Sequence, residues 1–182
     1  MHEVHKQVQL VQLMFTLLVD SEDNHLDSAA EIWAAATSAR DQEDSIPSLE
    51  QSRPIIQSVT TGSREGLLLI ALHGDEVVGF AAAAPDVAFA PECRSTEIHY
   101  LGVSPRWWGR GVARALLEGI LPLLGARGYS SAHLQVYCDN LKAVSLYEAA
   151  GWQREGAPSQ HPRTGKSEQR YRIEIAKNSQ GA

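Results

Sequence analysis

The chain has 182 residues, 43% of them hydrophobic, which is enough for one full core and favours a single domain over two. Its 16 Lys+Arg are outnumbered by 22 Asp+Glu, giving a formal net charge of -6, and a chain without a basic excess is poorly suited to neutralising nucleic-acid phosphates. Cys93 and Cys138 have neither metal-ligand spacing nor the density of a secreted disulfide scaffold, so the expectation is reduced thiols in a cytoplasmic protein with no metal site.

The first apolar run, "KQVQLVQLMFTLLVD", reads as a first strand behind an irregular leader, residues 1–10. Glutamines interrupt it, "DSEDNH" follows where a signal-peptide cleavage site would be wanted, and it is too short to span a bilayer. In "NHLDSAAEIWAAATSARDQ", helical spacing of Leu26, Ala29, Ala30, Ile32, Trp33 and Ala36 predicts a helix, with an Asp/Ser/Asn-rich start suited to a cap. A shorter helix is expected in "SLEQSRPIIQSVTTG", where Pro54 blurs the start. The period then changes. "GLLLIALHGDEVVGFAAAAP" is two apolar runs around His73-Gly74-Asp75-Glu76, a hairpin signal, and "STEIHYLGVSP" is a third run closed by Pro105.

From Gly111, "GVARALLEGILPLLGARG" puts Val112, Leu116, Ile120 and Leu124 on one helical stripe, with a bend or shortening expected at Pro122. "YSSAHLQVYC" is the next strand, completing a βαβ-like unit. "DNLKAVSLYEAAG" predicts a helix capped by Asp139 or Asn140 and stopped at Gly151, followed by strands "WQREG" and "EQRYRIEIA" and a disordered tail, residues 177–182. The order implies a mixed α/β fold (α+β) with an antiparallel first part, read as one domain over residues 1–182.

The stretch "VSPRWWGRGVARALL" carries the chemistry. Gly109-Arg110-Gly111 lets the backbone turn tightly just where a helix begins, and the free amides and dipole of that helix start favour an anion. Turn chemistry alone is the competing account. The dinucleotide pattern G-x-G-x-x-G fails because its third glycine position is Arg114. The P-loop pattern fails at "TGKS", residues 164–167, because the upstream glycine position is Gln160 and no helix pattern follows; that segment reads as a hairpin turn between the last two strands. Arg110 and Arg114 can add charge to the anion site or be solvated cations on an exposed first turn. Trp107 and Trp108 read as packing or covering residues.

"YLGVSPRWWGRGVARALL" and "LQVYCDNLKAVSLYEAAGW" together resemble the GCN5-related N-acetyltransferases (GNAT). That family's signature is a Val-x-Pro strand end, Q/R-x-x-G-x-G/A opening a helix, and a later Asn-x-x-Ala-x-x-Leu-Tyr-Glu-x-x-Gly-Phe/Trp helix. Here Val103, Pro105, Gly111 and Ala113 match the first part, and Asn140, Ala143, Leu146, Tyr147, Glu148, Gly151 and Trp152 the second. Trp108 departs from the pattern, standing where Gln or Arg is usual. The resemblance implies a single mixed, mostly antiparallel sheet of about six to seven strands with splayed central strands, flanked by about four helices. It also implies acetyl-CoA as cosubstrate, with Trp108, Gly109, Arg110, Gly111, Val112, Ala113 and Arg114 around the pyrophosphate. Leu101, Gly102 and Val103 are implied along the pantetheine arm, and Asn140, Ala143 and Tyr147 on the cofactor side of the later helix.

Acetyl transfer to an amine needs a base for the amine, stabilisation of the carbonyl oxygen and an acid for the leaving thiolate. Alternation in "STEIHYLGV" puts Glu97, His99, Leu101 and Val103 on one face. Glu97 is similar in place to the general base of those family members that have one, and burial would have to raise its pKa. His99 is the alternative base, or a wall residue. The backbone of Leu101 to Val103 is implied to polarise the thioester carbonyl, and Tyr147 to be the acid. No serine or cysteine has an obvious activating partner, which favours direct attack over a covalent intermediate. The acceptor is expected to be a primary amine of a small molecule, with a protein N-terminus or lysine, or a non-catalytic acyl-CoA sensor, as alternatives. No nucleic-acid or membrane partner is expected, and a homodimer is compatible with the sequence. The acceptor site would be built from the early helices, "PDVAFAPECR" and "GAPSQHPRTGKSEQR"; His161, Arg163 and Lys166 in the latter read as a polar hairpin tip, with substrate contact as the alternative.

Overall fold

Residues 15–63, 65–86 and 94–176 are described in the computed structural model. Seven strands are present there: β1 (Thr16–Val19), β2 (Leu67–His73), β3 (Glu76–Pro85), β4 (Ser95–Val103), β5 (Ser131–Tyr137), β6 (Gln153–Gln160) and β7 (Ser167–Glu174). They form one sheet of order β1-β2-β3-β4-β5-β7-β6. The helices are α1 (Leu26–Asp41), α2 (Leu49–Thr60), α3 (Val112–Ala126) and α4 (Leu141–Ala149). The sheet is mixed and mostly antiparallel, since β4 and β5 are parallel whereas β1–β2, β2–β3, β5–β7 and β6–β7 are antiparallel. The β4–β5 ladder runs Ser95↔Ser131, Thr96↔Ala132 and Glu97↔His133, and both strands continue past it. The expected leader (residues 1–10), the tail (177–182), Cys93 and most of "PDVAFAPECR" lie outside the described residues.

Contacts divide the chain into two units, Met1–Ala83 with Tyr100–Ile120, and Ala84–His99 with Leu121–Ala182. In the first, the β2–β3 hairpin turns where the sequence says, through Gly74 and Asp75, with Gly74 at φ 59°. The predicted cap of α1 takes another form: His25 is the N-cap and makes no side-chain cap bond. Asp20 instead gathers the approach, its carboxylate accepting from the backbone N–H groups of Asn24 (3.1 Å) and His25 (2.7 Å). The buried face of α1 is Leu26, Ala29, Ala30, Ile32, Ala34 and Ser38, so Ala34 and Ser38 replace the expected Trp33 and Ala36, which are only half-buried.

Pro54 does not blur α2, because a capping box fixes its start: Ser48 Oγ accepts from Gln51 N–H (3.4 Å) and Gln51 Oε1 from Ser48 N–H (2.9 Å). Pro54 lies inside the helix but is exposed, as is Glu50, whose carbonyl loses its partner to the proline and can turn to water. Pro122 likewise does not shorten α3, which runs on to Ala126; Pro122 and the Glu118 four residues earlier are both exposed. The predicted stripe of Val112, Leu116, Ile120 and Leu124 is buried, with Leu117 beside it.

In the second unit α4 is capped by Asn140 rather than Asp139 and is followed by Gly151 at φ 87°. β6 is longer than "WQREG", continuing to Gln160 through a register shift between Glu155 and Ser159. The "TGKS" segment is the turn between β6 and β7, closed by His161 N–H to Lys166 O (2.9 Å) and Gly165 N–H to His161 O (2.8 Å).

Candidate active site

The residues expected from sequence fall into two groups, one in each unit. In the first unit β4 ends at Val103 and passes through a 3₁₀ turn, Pro105–Trp107, into the glycine loop before α3. Ser104 N–H donates to Val78 O (3.0 Å) and Trp107 N–H to Ser104 O (2.7 Å), which ties the turn to β3. Gly109 (φ 75°) and Gly111 (φ 85°) adopt a backbone that residues with a Cβ rarely take, and a Cβ on either would meet nothing within 4 Å. The glycines are therefore required by the path of the chain, and the space in front of them is open.

The first intrahelical bond of this segment runs from Ala115 N–H to Gly111 O (3.0 Å). Among the described residues, nothing accepts a hydrogen bond from the backbone N–H groups of Gly109, Arg110, Gly111, Val112, Ala113 or Arg114. A run of open donors at a helix start, with the positive end of the helix dipole behind it, is an anion cradle, and a pyrophosphate fits it. The flanking cations are partly engaged already. Arg110 lies over the Trp107 ring, 5.0 Å from its centroid, and Arg114 Nε pairs with Glu118 Oε1 at 2.9 Å on the exposed side of the helix.

The two tryptophans do different things. Trp107 is buried, its ring 4.7 Å from the His73 ring and tilted 50° to it, with Nε1 donating to Glu76 Oε1 (3.3 Å), so it packs the loop onto the β2–β3 hairpin as expected. Trp108 is 43% exposed, and its Nε1 donates to Val103 O at 2.9 Å, strapping the loop to the end of β4. Gly102 is needed for a different reason: the Phe80 ring lies against its backbone, where a Cβ would collide. Leu101 is half-exposed and Val103 buried.

In the second unit Glu97 and His99 share a face, as the alternation predicts, with Glu97 Oε1 3.8 Å from His99 Nδ1. Both are partly open to solvent, with side chains 22% and 35% exposed, so each can reach a dissolved amine directly or through water. Asn140 Oδ1 accepts from Ala143 N–H (3.3 Å), so its side-chain carbonyl caps α4.

Tyr147 is the buried residue of α4, with its ring 6.2 Å from that of Trp152 and 6.3 Å from that of Tyr171. Burial pushes its phenol up to about 12, so the hydroxyl is neutral at any ordinary pH. Glu148 and Arg154 brace this helix from outside: Arg154 Nη2 reaches Glu148 Oε1 (2.8 Å), and the Tyr171 hydroxyl donates to the same oxygen (2.9 Å). Those hydrogen bonds, Arg154 first, hold the Glu148 carboxyl below the usual carboxylate value.

One polar cluster has no counterpart in the sequence reading. His133 on β5 is buried, with Nδ1 3.0 Å from Glu155 Oε2 and accepting from Arg170 Nε at 3.2 Å; Arg170 Nη2 also holds Asp86 Oδ2 at 2.6 Å. Burial first, then the Arg170 charge, lowers the His133 pKa from 6.5, leaving a neutral ring that can accept the Arg170 N–H. The bonds from Arg170 to His133 and to Asp86 bridge 37 and 84 positions of sequence, and the only local signal is one histidine in an apolar strand. Among the described residues no group of three or more His, Cys, Asp or Glu could hold a metal ion, and no helix is long and apolar enough to cross a membrane.

The sequence pattern of the acetyltransferase (GNAT) family matches residues 26–152, which takes in α1 through α4 with both groups of expected residues. The chain belongs to this family. A mycothiol acetyltransferase of Renibacterium salmoninarum is 32% identical over 96 residues, 53% of this chain and 28% of that protein. The N-alpha-acetyltransferase RimI of Mycobacterium tuberculosis is 43% identical over 60 residues, 33% of this chain and 36% of that protein. The chain thus spans 28% and 36% of the lengths of these two relatives. Among solved structures, yncA from Salmonella typhimurium with its cofactor acetyl-CoA has the same GNAT fold, at a TM-score of 0.67 and 14% identity, covering 91% of this chain and 96% of that one.

Proposed function

We propose that this GNAT protein is an acetyl-CoA-dependent N-acetyltransferase that passes the acetyl group to a primary amine of a small molecule by direct attack, in the cytoplasm. The observation that carries the reading is the run of open backbone donors from Gly109 to Arg114 at the start of α3, which suits a pyrophosphate. Acetyl-CoA supplies an activated thioester; the protein supplies position and protons. Glu97 takes a proton from the acceptor ammonium, directly or through water, with His99 beside it as the second candidate. The backbone of Leu101 to Val103 polarises the carbonyl oxygen as charge builds on it.

Tyr147 is the group assigned to assist the leaving thiolate. With its phenol at about 12 and a thiol near 8.5, full proton transfer to the thiolate runs uphill by about 3.5 units. Tyr147 therefore acts by donating a hydrogen bond that strengthens as the thiolate forms, and solvent provides the final proton. The match to a RimI supports a second reading, with a protein N-terminus as acceptor.

The first test is calorimetric titration with acetyl-CoA, coenzyme A and NADH, followed by an amine and peptide panel with free-thiol detection. One acetyl-CoA per chain, no NADH, and thiol release with a small amine are the expected results. A folded sample that binds neither acetyl-CoA nor coenzyme A overturns the reading. Binding without thiol release from any amine or peptide points to a sensor, and release with peptides alone moves the acceptor to a protein terminus.

A further inference from the structure

We infer that Trp108 is a specificity-determining residue that recognises the arm of the acyl-carrying nucleotide, as distinct from its phosphates; this rests on the acetyl-CoA reading above. Three observations lead there. First, Trp108 is the most exposed aromatic side chain of the loop, at 43%, directly beside the open amides of Gly109 to Arg114, whereas its neighbour Trp107 is buried. An indole left in water beside an anion cradle keeps apolar surface available for a ligand to cover.

Second, that indole is held. Its Nε1 donates to Val103 O at 2.9 Å, so the ring is fixed across the gap between the last residue of β4 and the first residue of the cradle. A ring fixed in advance loses little freedom when a ligand comes to rest on it. Third, the same bond occupies the Val103 carbonyl, leaving the amide-rich arm one acceptor fewer at the strand end and an aromatic face in its place. A ligand with its pyrophosphate on the amides of Gly109 to Arg114 and its arm along Leu101 to Val103 must pass this face. The piece of arm next to the pyrophosphate carries a quaternary carbon with two methyl groups, and an indole face suits it. In the resembling family the position is usually Gln or Arg, so the indole gives this chain an aromatic face that the family pattern does not require.

The test uses the full chain, with Trp108→Ala and Trp108→Phe, and two ligands: coenzyme A, and adenosine 3′-phosphate 5′-diphosphate, which is coenzyme A without its arm. Calorimetry should show coenzyme A weakened about tenfold in Trp108→Ala, the loss expected from uncovering two methyl groups. Trp108→Phe, which keeps a ring but not the indole donor, should lose less, and the armless nucleotide should bind all three proteins within about twofold, because phosphate contacts are untouched. In parallel, coenzyme A should quench the intrinsic tryptophan fluorescence of the wild type more than the armless nucleotide does, and Trp108→Phe should lose that difference while still melting cooperatively. This readout serves if the alanine variant fails to fold. Equal weakening of both ligands would make Trp108 a strap for the cradle and overturn arm recognition, as would no weakening of either. A wild type that binds neither ligand instead overturns the acetyl-CoA reading itself.

Discussion

Replacing Tyr147 with phenylalanine separates two ways of helping a thiolate leave. The phenol is pushed up to about 12 by burial and makes no hydrogen bond to any described residue, so Tyr147→Phe removes one oxygen and leaves the packing against Trp152 and Tyr171 in place. Stability should change by less than about 1 kcal/mol, since no internal hydrogen bond is broken. A hydrogen bond to a charged partner is worth about 1.5–3 kcal/mol, so kcat should fall by about 10- to 150-fold with the dissociation constant of acetyl-CoA nearly unchanged. The assay is steady-state thiol release between pH 6 and 10, paired with calorimetric binding. The pH dependence below 10 should be the same in both proteins, because a phenol near 12 does not titrate there. A basic limb with an apparent pKa below 10 that disappears in Tyr147→Phe would show a tyrosine surrendering its proton, and would refute the hydrogen-bond account. So would an unchanged kcat when chemistry limits the rate.

Glu97→Gln should lower kcat by about 100- to 10,000-fold if this carboxylate is the base, with acetyl-CoA binding retained; a smaller loss in Glu97→Gln than in His99→Gln would transfer the role to His99. Gly111→Ala should cost about 1–2 kcal/mol of stability from its φ of 85° and weaken coenzyme A at least tenfold, measured by melting and calorimetry. Gly151→Ala, at φ 87° and equally without neighbours, is its control: similar destabilisation with unchanged binding is expected, and equal loss of binding in both would remove the cradle's special standing. His133 has a folded pKa below its unfolded 6.5, so the unfolded chain binds the proton more readily and stability falls as pH drops through 6.5 toward the lowered value. Urea midpoints measured from pH 5 to 8 should therefore show a shallower acid limb in His133→Gln; an identical slope would mean that other groups carry the acid sensitivity.

Local chemistry was legible in the sequence. The Gly109-Arg110-Gly111 turn, the Gly74-Asp75 hairpin and the α3 stripe each depend on residues a few positions apart, and each is where the pattern puts it. Alternation along β4 correctly put Glu97 and His99 together. What failed depends on surroundings. Pro54 read as a blurred helix start and Pro122 as a bend or shortening because a sequence does not show that the carbonyl four residues earlier can face water. The strand read as "WQREG" stops at Gly156, yet β7 supplies a partner that carries β6 on to Gln160. The His133–Arg170–Asp86 cluster and the bond from Trp108 to Val103 were invisible because which polar atom meets which is decided by the packed chain, not by spacing.

The shift of register in β6 has a meaning for the molecule among its own copies. Among the described residues β6 and β1 are the outer strands of the sheet, and the backbone groups along an outer edge invite a stranger to add another strand. β6 answers with Pro158, which has no N–H to offer, next to the irregularity between Glu155 and Ser159 that breaks the straight ladder an incoming strand would need. β1 answers with brevity, only the four residues Thr16–Val19. Crowded copies of this chain, as they emerge from synthesis or partly unfold, therefore meet edges that are hard to extend, and the departures from regularity that made β6 difficult to foresee also discourage it from seeding an aggregate.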